Sequence, residues 1–354
     1  MPACRHHRDT ELPPNSPRKK KKPGIREVAA LAGVGMTSVS RVLANHPDVS
    51  ETMRVRVMDA VERLGYIPNM QAKSLRGGGT FLVGCLLGDI SNPLMSDIVR
   101  GAEETLSSFG YSLLLTDSQS DADRDAYLLR VLEQRQVDGL IVSTASESHR
   151  RTLDALADFP CPIAAVDRDF ATRPEIGYVL SDHRSGMSAA VEHLLKLGHR
   201  RIDFVVGPDI RPSRERFEAL RGAYAAHGLR ETFTVHAGPM SAEFGYEATQ
   251  RILGGPSRPT AIILGANQFL DGCLGAVRQR GLRVGADFSL VTCDDLPLAR
   301  HYEPPVSVVK RDTRALGQTA ASLVLEQIRD GGGPRTITLP TVYEDRGSVA
   351  APRA

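Results

Sequence analysis

Two folds in tandem are predicted by this 354-residue chain, a small all-α head and an α/β body built on parallel sheets. Three observations predict them. Two short amphipathic segments near the N-terminus are joined by a glycine turn. From Phe81 onward short apolar runs alternate with amphipathic stretches. Gly77-Gly78-Gly79, together with a change in the sign of the charge, separates the two regimes.

In the head, the run from Ile25 to Ala32 places Ile25, Val28, Ala29 and Ala32 on one helical face. Gly33-Val34-Gly35 supplies a tight turn. Met36 to Asn45 then forms a second helix whose Val39, Val42 and Leu43 face the first. This pair is a helix-turn-helix, whose second helix can lie in a major groove. A third helix, opened by Ser50 as N-cap and closed at Gly65, is expected to add Val55, Met58, Val61 and Leu64 to the same core. Pro68 to Arg76 is too polar and too short to be a stable helix alone.

In the body, Phe81–Leu87 reads as a strand and Leu94–Phe109 as a helix. Tyr111–Thr116 is a strand, Ala122–Arg135 a helix, Gly139–Ser143 a strand and Ile163–Val166 another. After Asp182 the alternation resumes with helices at Ser185–Leu197, about Glu215–His227 and Leu270–Arg280, and strands at Arg201–Val206, Ala261–Leu264 and Ser289–Thr292. Such a βαβ series gives parallel sheets covered on both faces, with enough units for two. Ligands in these sheets sit beyond the carboxyl ends of the strands.

Composition narrows the function classes. Residues 1–76 carry 14 Lys and Arg against 7 Asp and Glu, whereas the remainder carries 30 against 35. A basic head on an acidic body suits a protein that places only its N-terminal end on polyphosphate. The run Arg18–Lys22 by itself reads as a solvated tail, and the composition of residues 1–23 predicts disorder. Cys4, Cys85, Cys161, Cys273 and Cys293 show no metal-binding spacing, and the last four are expected to be buried, reduced thiols. No cofactor or metal is expected. The N-terminus has no apolar core of a signal peptide and no run approaches a membrane span, so the expectation is a cytoplasmic protein without a membrane partner. G-x-S-x-G, G-x-G-x-x-G and G-x-x-x-x-G-K-[ST] are absent, and the histidines are dispersed, which argues against an enzyme.

The head strings Val28-Ala29-Ala30-Leu31-Ala32-Gly33-Val34, Thr37-Ser38-Val39-Ser40-Arg41-Val42-Leu43, Leu64-Gly65-Tyr66-Ile67-Pro68-Asn69 and Ala72-Lys73-Ser74-Leu75-Arg76 resemble the LacI/GalR family of bacterial transcription regulators. Body strings follow in family order: Asp89-Ile90-Ser91-Asn92-Pro93, Arg135-Gln136-Val137-Asp138-Gly139, Gly198-His199-Arg200-Arg201-Ile202 and Asp294-Asp295-Leu296-Pro297. The resemblance covers about residues 24–348. It implies a helix-turn-helix domain at 24–66, a hinge helix and glycine linker at 67–79, and a two-lobed Rossmann-like effector domain, similar to periplasmic binding proteins, at 80–348. Lobe 1 is expected at about 80–167 and 311–330 and lobe 2 at about 168–310 and 331–348. The chain would cross between them near Asp167–Tyr178, Val308–Arg311 and Gly331–Pro334. The implied function is a sequence-specific regulator, a repressor, acting as a homodimer on pseudo-palindromic double-stranded operator DNA and controlled by a small polar effector, a sugar or sugar acid. The competing readings are a solute-binding protein and a sugar-acting enzyme.

Site residues follow from family position. Met36, Thr37 and Arg41 would read the major groove, and Arg can pair bidentately with guanine. Ser38, Ser40 and Asn45 would touch phosphate. Ala72, Lys73, Leu75 and Arg76 would enter the minor groove, with Leu75 as a wedge between base pairs. Gly35 stands where the family usually has Ser, which removes one phosphate-binding hydroxyl. In the body, Leu94, Met95, Asp167, Arg216, Met240, Asn267 and Asp294 would line the effector pocket. Leu94, Met95 and Met240 replace aromatic residues common in the family, and Gln268 replaces an acidic one. Arg216 with Asp294 can serve a polyhydroxylated ligand or form a structural ion pair across the cleft. Arg211 and Arg311 are expected to add positive charge, which favours an anionic ligand.

Overall fold

The computed structural model describes residues 23–43, 46–66, 79–170 and 175–353. Asn45 and the hinge residues Ala72, Lys73, Leu75 and Arg76 lie outside these, as do the basic tail and Cys4. The chain divides into two compact units between Gly78 and Gly79.

The head consists of α1 (Ile25–Ala32), α2 (Met36–Leu43) and α3 (Glu51–Leu64). Gly33 ends α1 with φ +62°, a left-handed setting, and a Cβ there would stand 2.7 Å from Arg56 Nη2. That guanidinium donates to the Ala32 carbonyl at 2.6 Å, so α3 satisfies an orphan acceptor at the end of α1. Ser50 caps α3 by accepting from Met53 N–H, and Gly65 ends it at φ +58°. The core is Val28, Ala29, Ala32, Val39, Val42, Val57 and Ala60, with Ile25, Leu43, Val61 and Leu64 packed on it. The expectation for α3 was partly wrong: Val55 is 60% and Met58 49% exposed. The buried stripe runs through Met53, Val57, Ala60 and Leu64, and residues two apart on a helix point about 200° from one another, so Val57 inside puts Val55 outside.

The body contains two sheets of the same plan. Lobe 1 is β1 (Leu82–Leu87), α4 (Pro93–Ser108), β2 (Ser112–Asp117), α5 (Ala122–Gln134), β3 (Gly139–Ser143), α6 (Arg150–Ala157), β4 (Ile163–Val166) and β5 (Ile176–Ser181). Lobe 2 follows with α7 (His183–Lys196), β6 (Ile202–Val206), α8 (Arg211–Ala226), β7 (Thr234–Ala237), α9 (Ala242–Gly254), β8 (Ala261–Leu264), α10 (Phe269–Gln279), β9 (Ser289–Cys293), α11 (Pro297–His301) and β10 (Ser307–Arg311). The chain returns to lobe 1 for α12 (Thr313–Asp330) and β11 (Thr336–Leu339), then enters lobe 2 again as β12 (Thr341–Glu344). The strand orders are β11-β5-β4-β3-β1-β2 and β12-β10-β9-β8-β6-β7. All pairs are parallel except β12 against β10.

The crossings therefore fall at Asp182, Asp312 and Pro340. The second agrees with expectation, but the first and third were placed one strand too early. β5 pairs with β4, Ile163 opposite Ile176, and β11 pairs with β5, so both belong to lobe 1. Apolar side chains cover each sheet on both faces, as parallel strands require. In lobe 1, α4 and α12 approach so closely that a Cβ on Gly317 would collide with the Ile98 carbonyl oxygen, and one on Gly101 with that of Arg314. Cys85, Cys273 and Cys293 are buried thiols, whereas Cys161 is only half-buried.

Candidate functional site

Two surfaces carry candidate chemistry. In the head, Val39 and Val42 turn inward, which leaves Met36, Thr37 and Arg41 exposed on the opposite side of α2. Ser38 and Ser40 are half-buried at its flanks. The Gly35 carbonyl accepts from Val39 N–H and so starts the helix without a side-chain cap. An exposed guanidinium about one turn from the exposed Met36 and Thr37 has the reach and the polarity to address base edges.

In the body, the carboxyl ends of both sheets converge on one cleft. Asp167 follows β4 and Asp294 follows β9, the equivalent strand of the other lobe. Both have positive φ, +48° and +69°. Each main-chain N–H reaches the neighbouring strand, Asp167 to the Val179 carbonyl at 3.0 Å and Asp294 to that of Val309 at 2.8 Å. This left-handed step is tolerated by Asp better than by most residues, and both aspartates line the cleft. The cleft is lined by Asn92, Met95, Ser143, Asp167, Arg168, Arg216, Met240, Asn267, Gln268, Asp294 and Arg311 among others, and the space between them is about 460 Å³, part of it open to solvent.

Its floor is an ionic lattice. Arg311, at the end of β10, donates through Nε to Asp294 Oδ1 at 2.7 Å and through Nη1 to Asp167 Oδ2 in a short contact. It therefore joins the two lobes. Ser181 holds Asp167 from below, N–H to Oδ1 at 2.6 Å and Oγ to Oδ2 at 2.9 Å. Arg216 donates to the Gly265 carbonyl at 2.6 Å and stands 3.4 Å from Asp294 Oδ2, a looser contact. Burial opposes ionising the two aspartates, but the Arg311 guanidinium, joined at Asp294 by Arg216, outweighs it and holds both carboxyls below their ordinary range. His183 is wholly buried, 3.5 Å from Asp167 Oδ1, and neither ring nitrogen has a hydrogen-bond partner. Burial, reinforced by Arg216, lowers its pKa to about 4, so the ring is neutral.

Six of the seven expected pocket residues, Met95, Asp167, Arg216, Met240, Asn267 and Asp294, meet in this cleft. Leu94 does not. It is buried behind the cleft beside a separate groove with Asp97 and Asp312, because Asn92 caps α4 and turns the next side chain away. The positive charge expected from Arg211 and Arg311 is also already matched, by Glu215 at 2.7 Å and by the two aspartates. Sequence reasoning missed Asn92, whose amide pairs with that of Asn267 across the lobes at 2.9 Å. Its Asn-Pro spacing at a helix start was the available signal. His183 and Glu147 gave none.

Comparison with known proteins supports the same division of the chain. Residues 24–69 match the family model for bacterial regulatory proteins of the lacI family, and residues 191–349 match a periplasmic binding protein-like domain. The ribose operon repressor of Escherichia coli (strain K12) is 30% identical over 326 residues, which covers 91% of this chain and 95% of that protein. Among solved structures, the lac repressor dimer bound to operator and the anti-inducer ONPF superposes with a TM-score of 0.83 at 28% identity, covering 94% of this chain and 100% of that one. A LacI family regulator from Enterococcus faecium with bound ribose gives 0.69 at 25% identity, over 77% of this chain and 100% of that one. With a three-helix head, two lobes of equal plan, and identity to a curated relative over nine-tenths of its length, this chain belongs to the LacI family of bacterial regulatory proteins.

Proposed function

We propose that the protein is a sequence-specific transcriptional repressor whose operator affinity is set by a small polyhydroxylated effector held between the two lobes. The carrying observation is the contact between Arg216 Nη2 and Asp294 Oδ2 on the cleft floor, which at 3.4 Å is longer than the 2.7 Å bond from Arg311 Nε to the same carboxylate. A ligand hydroxyl placed between them accepts from the guanidinium and donates to the carboxylate, which satisfies both better than they satisfy each other. Asn267 and Asn92 offer an amide donor and acceptor on the adjoining wall. On the floor Arg216 and Arg311 balance Asp167 and Asp294, the third cleft arginine, Arg168, has Glu147 and Asp125 near it as countercharge, and His183 is neutral, so a neutral sugar fits the floor better than a sugar acid. Met95 and Met240 supply an apolar surface for a sugar ring in place of aromatic stacking.

The head is assigned the operator. Met36, Thr37 and Arg41 read bases in the major groove while Ser38, Ser40 and Asn45 hold phosphates. One short reading helix buries too little surface for a specific site, so a homodimer on a pseudo-palindrome with half-sites roughly 34–36 Å apart is the working form. Ala72, Lys73, Leu75 and Arg76 are assigned the minor groove on the match of their segment to the family hinge, with Leu75 as the wedge. A mobility shift on the protein's own promoter, titrated with ribose and other neutral sugars and with sugar acids, tests the whole reading. Retention that a neutral sugar alters supports it. Loss of any retention, or turnover of the sugar, would favour a solute-binding protein or an enzyme. Within that assay Arg41→Ala is expected to cost about 1–3 kcal/mol at one base pair and to relax preference there, whereas Leu75→Ala weakens every good operator.

A further inference from the structure

We propose that Glu147 is a clasp across the mouth of the cleft: a lobe 1 carboxylate that serves as the N-terminal cap of a lobe 2 helix and so favours the closed setting of the lobes. The inference rests on the reading of the cleft as the regulatory site, but its geometry is independent of any ligand. Helix α8 runs for 16 residues from Arg211, and its own N-cap position is Ile210, which has no side chain able to cap. The need is met from the other lobe. Glu147, in the loop after β3, accepts from Arg211 N–H through Oε1 at 2.9 Å and pairs through Oε2 with Arg214 Nη2 at 2.6 Å. The same Oε1 accepts from Asp169 N–H in lobe 1 at 3.1 Å, which fixes the carboxylate to its own lobe. Glu147 is 8% exposed, so its carboxylate is a buried group with fixed partners, although the Arg214 side chain on the other side of the pair is partly exposed.

Lobe separation must break both bonds to α8 at once. A helix N-terminus favours negative charge, and an unsatisfied first-turn N–H is the group most in need of an acceptor. The closed cleft supplies one and the open cleft supplies only water. Arg311 joins the lobes at the floor and Asn92 with Asn267 at one wall. Glu147 acts at a third place, on the helix that carries Arg216. Opening there therefore shifts the base of the helix that presents the effector-binding guanidinium, which couples closure to ligand affinity without Glu147 touching the ligand. Glu147 is a positioning residue.

The test is amide hydrogen exchange on the full-length protein, read for the segment 209–215. Glu147→Ala is expected to accelerate exchange there about tenfold while the β6 and β8 segments of lobe 2 stay unchanged. Arg214→Ala, which leaves the bond to Asp169 intact, should give a smaller acceleration in the same segment, and the double variant should be no worse than Glu147→Ala. Glu147→Gln keeps a neutral acceptor for Arg211 N–H and should fall between wild type and Glu147→Ala. Unchanged exchange at 209–215 in Glu147→Ala overturns the clasp. So do two single effects that simply add, because the residues then do not act through one contact. Acceleration at 209–215 with unchanged operator affinity upholds the clasp and removes instead the coupling claimed for the cleft.

Discussion

Arg311 decides the character of the cleft floor, because among the described residues it is the one cation in contact with buried carboxylates of both lobes. Replacing it by Met leaves Asp167 and Asp294, each 3% exposed, in a low-dielectric site with too little countercharge. Breaking such a buried pair typically costs about 3–5 kcal/mol, and chemical denaturation of Arg311→Met at neutral pH should show a loss of that size. The aspartates also fix the acid limb of stability. Their folded pKa values are depressed, so the stability they confer is complete above the ordinary carboxylate pKa of about 4 and is lost as pH falls below it. In Arg311→Met that acid dependence should shrink, since the carboxyls no longer sit low.

His183 acts earlier in the same titration. Its folded pKa of about 4 lies below the ordinary value, so the unfolded chain takes up a proton before the folded one. Its contribution is therefore complete above about pH 6.5 and disappears as pH falls toward 4, with a total on the order of 3 kcal/mol. Asp167, Asp294, Arg216 and Arg311 are the charges that face the ring. His183→Asn, which cannot titrate, should flatten melting temperature against pH between 4 and 6.5. An unchanged slope would place the responsible group elsewhere. Asp167, Asn267 and Asp294 were legible in the sequence because each follows a strand, where ligand sites of parallel sheets lie. The use made of Arg311 was not. Its partner Asp167 is 144 residues away, and pairing across that separation converts an expected positive patch into a neutral lattice.

At the scale of elements, packing depends on which face of a helix turns inward. Val57 is wholly buried in the head and Val55 is 60% exposed, two residues apart on α3. Val57→Ala removes two buried methyl groups and should destabilise the head by about 1.5–2.5 kcal/mol, while Val55→Ala should stay within about 0.5 kcal/mol of wild type. Thermal melting of the two variants, followed by the head's own transition, separates them. The sequence pattern located α3 and its Ser50 and Gly65 ends correctly, since caps and helix-ending glycines are local signals. It misplaced the inward face because Val55, Met58, Val61 and Leu64 also form a helical stripe, and only contact with α1 chooses between stripes. In lobe 1 the strands buried on both faces, such as β3 and β4, read plainly as apolar runs. β7 and β11 are half-exposed, four-residue strands at or near sheet edges, and carry no such run. The lobe boundaries were misread for a related reason: β5 and β11 join lobe 1 through pairing partners that are not marked by any break in the local pattern.

For the whole molecule, the three crossings at Asp182, Asp312 and Pro340 lie side by side in adjacent strands of both sheets, so one lobe can change its setting against the other by small torsions at a few positions. Bonds that span the lobes, Arg311 to Asp167, Asn267 to Asn92 and Glu147 to α8, then define a closed arrangement with discrete partners. If an effector binds at Arg216 and Asp294 as proposed, it shifts the balance only by the difference between its affinities for the two settings, and whatever it does to operator affinity the operator must do to it. Residues 67–78 are the covalent route from the head to lobe 1. Calorimetric titration of the dimer with the effector identified in the promoter assay, once alone and once saturated with operator, should give dissociation constants that differ by roughly 5–150-fold, equivalent to about 1–3 kcal/mol of coupling. The same factor should separate operator affinities measured with and without effector. Equal constants in the first pair of titrations would mean that the cleft binds its ligand without informing the head, and the regulatory role of the lobes would then be wrong even with both binding sites intact.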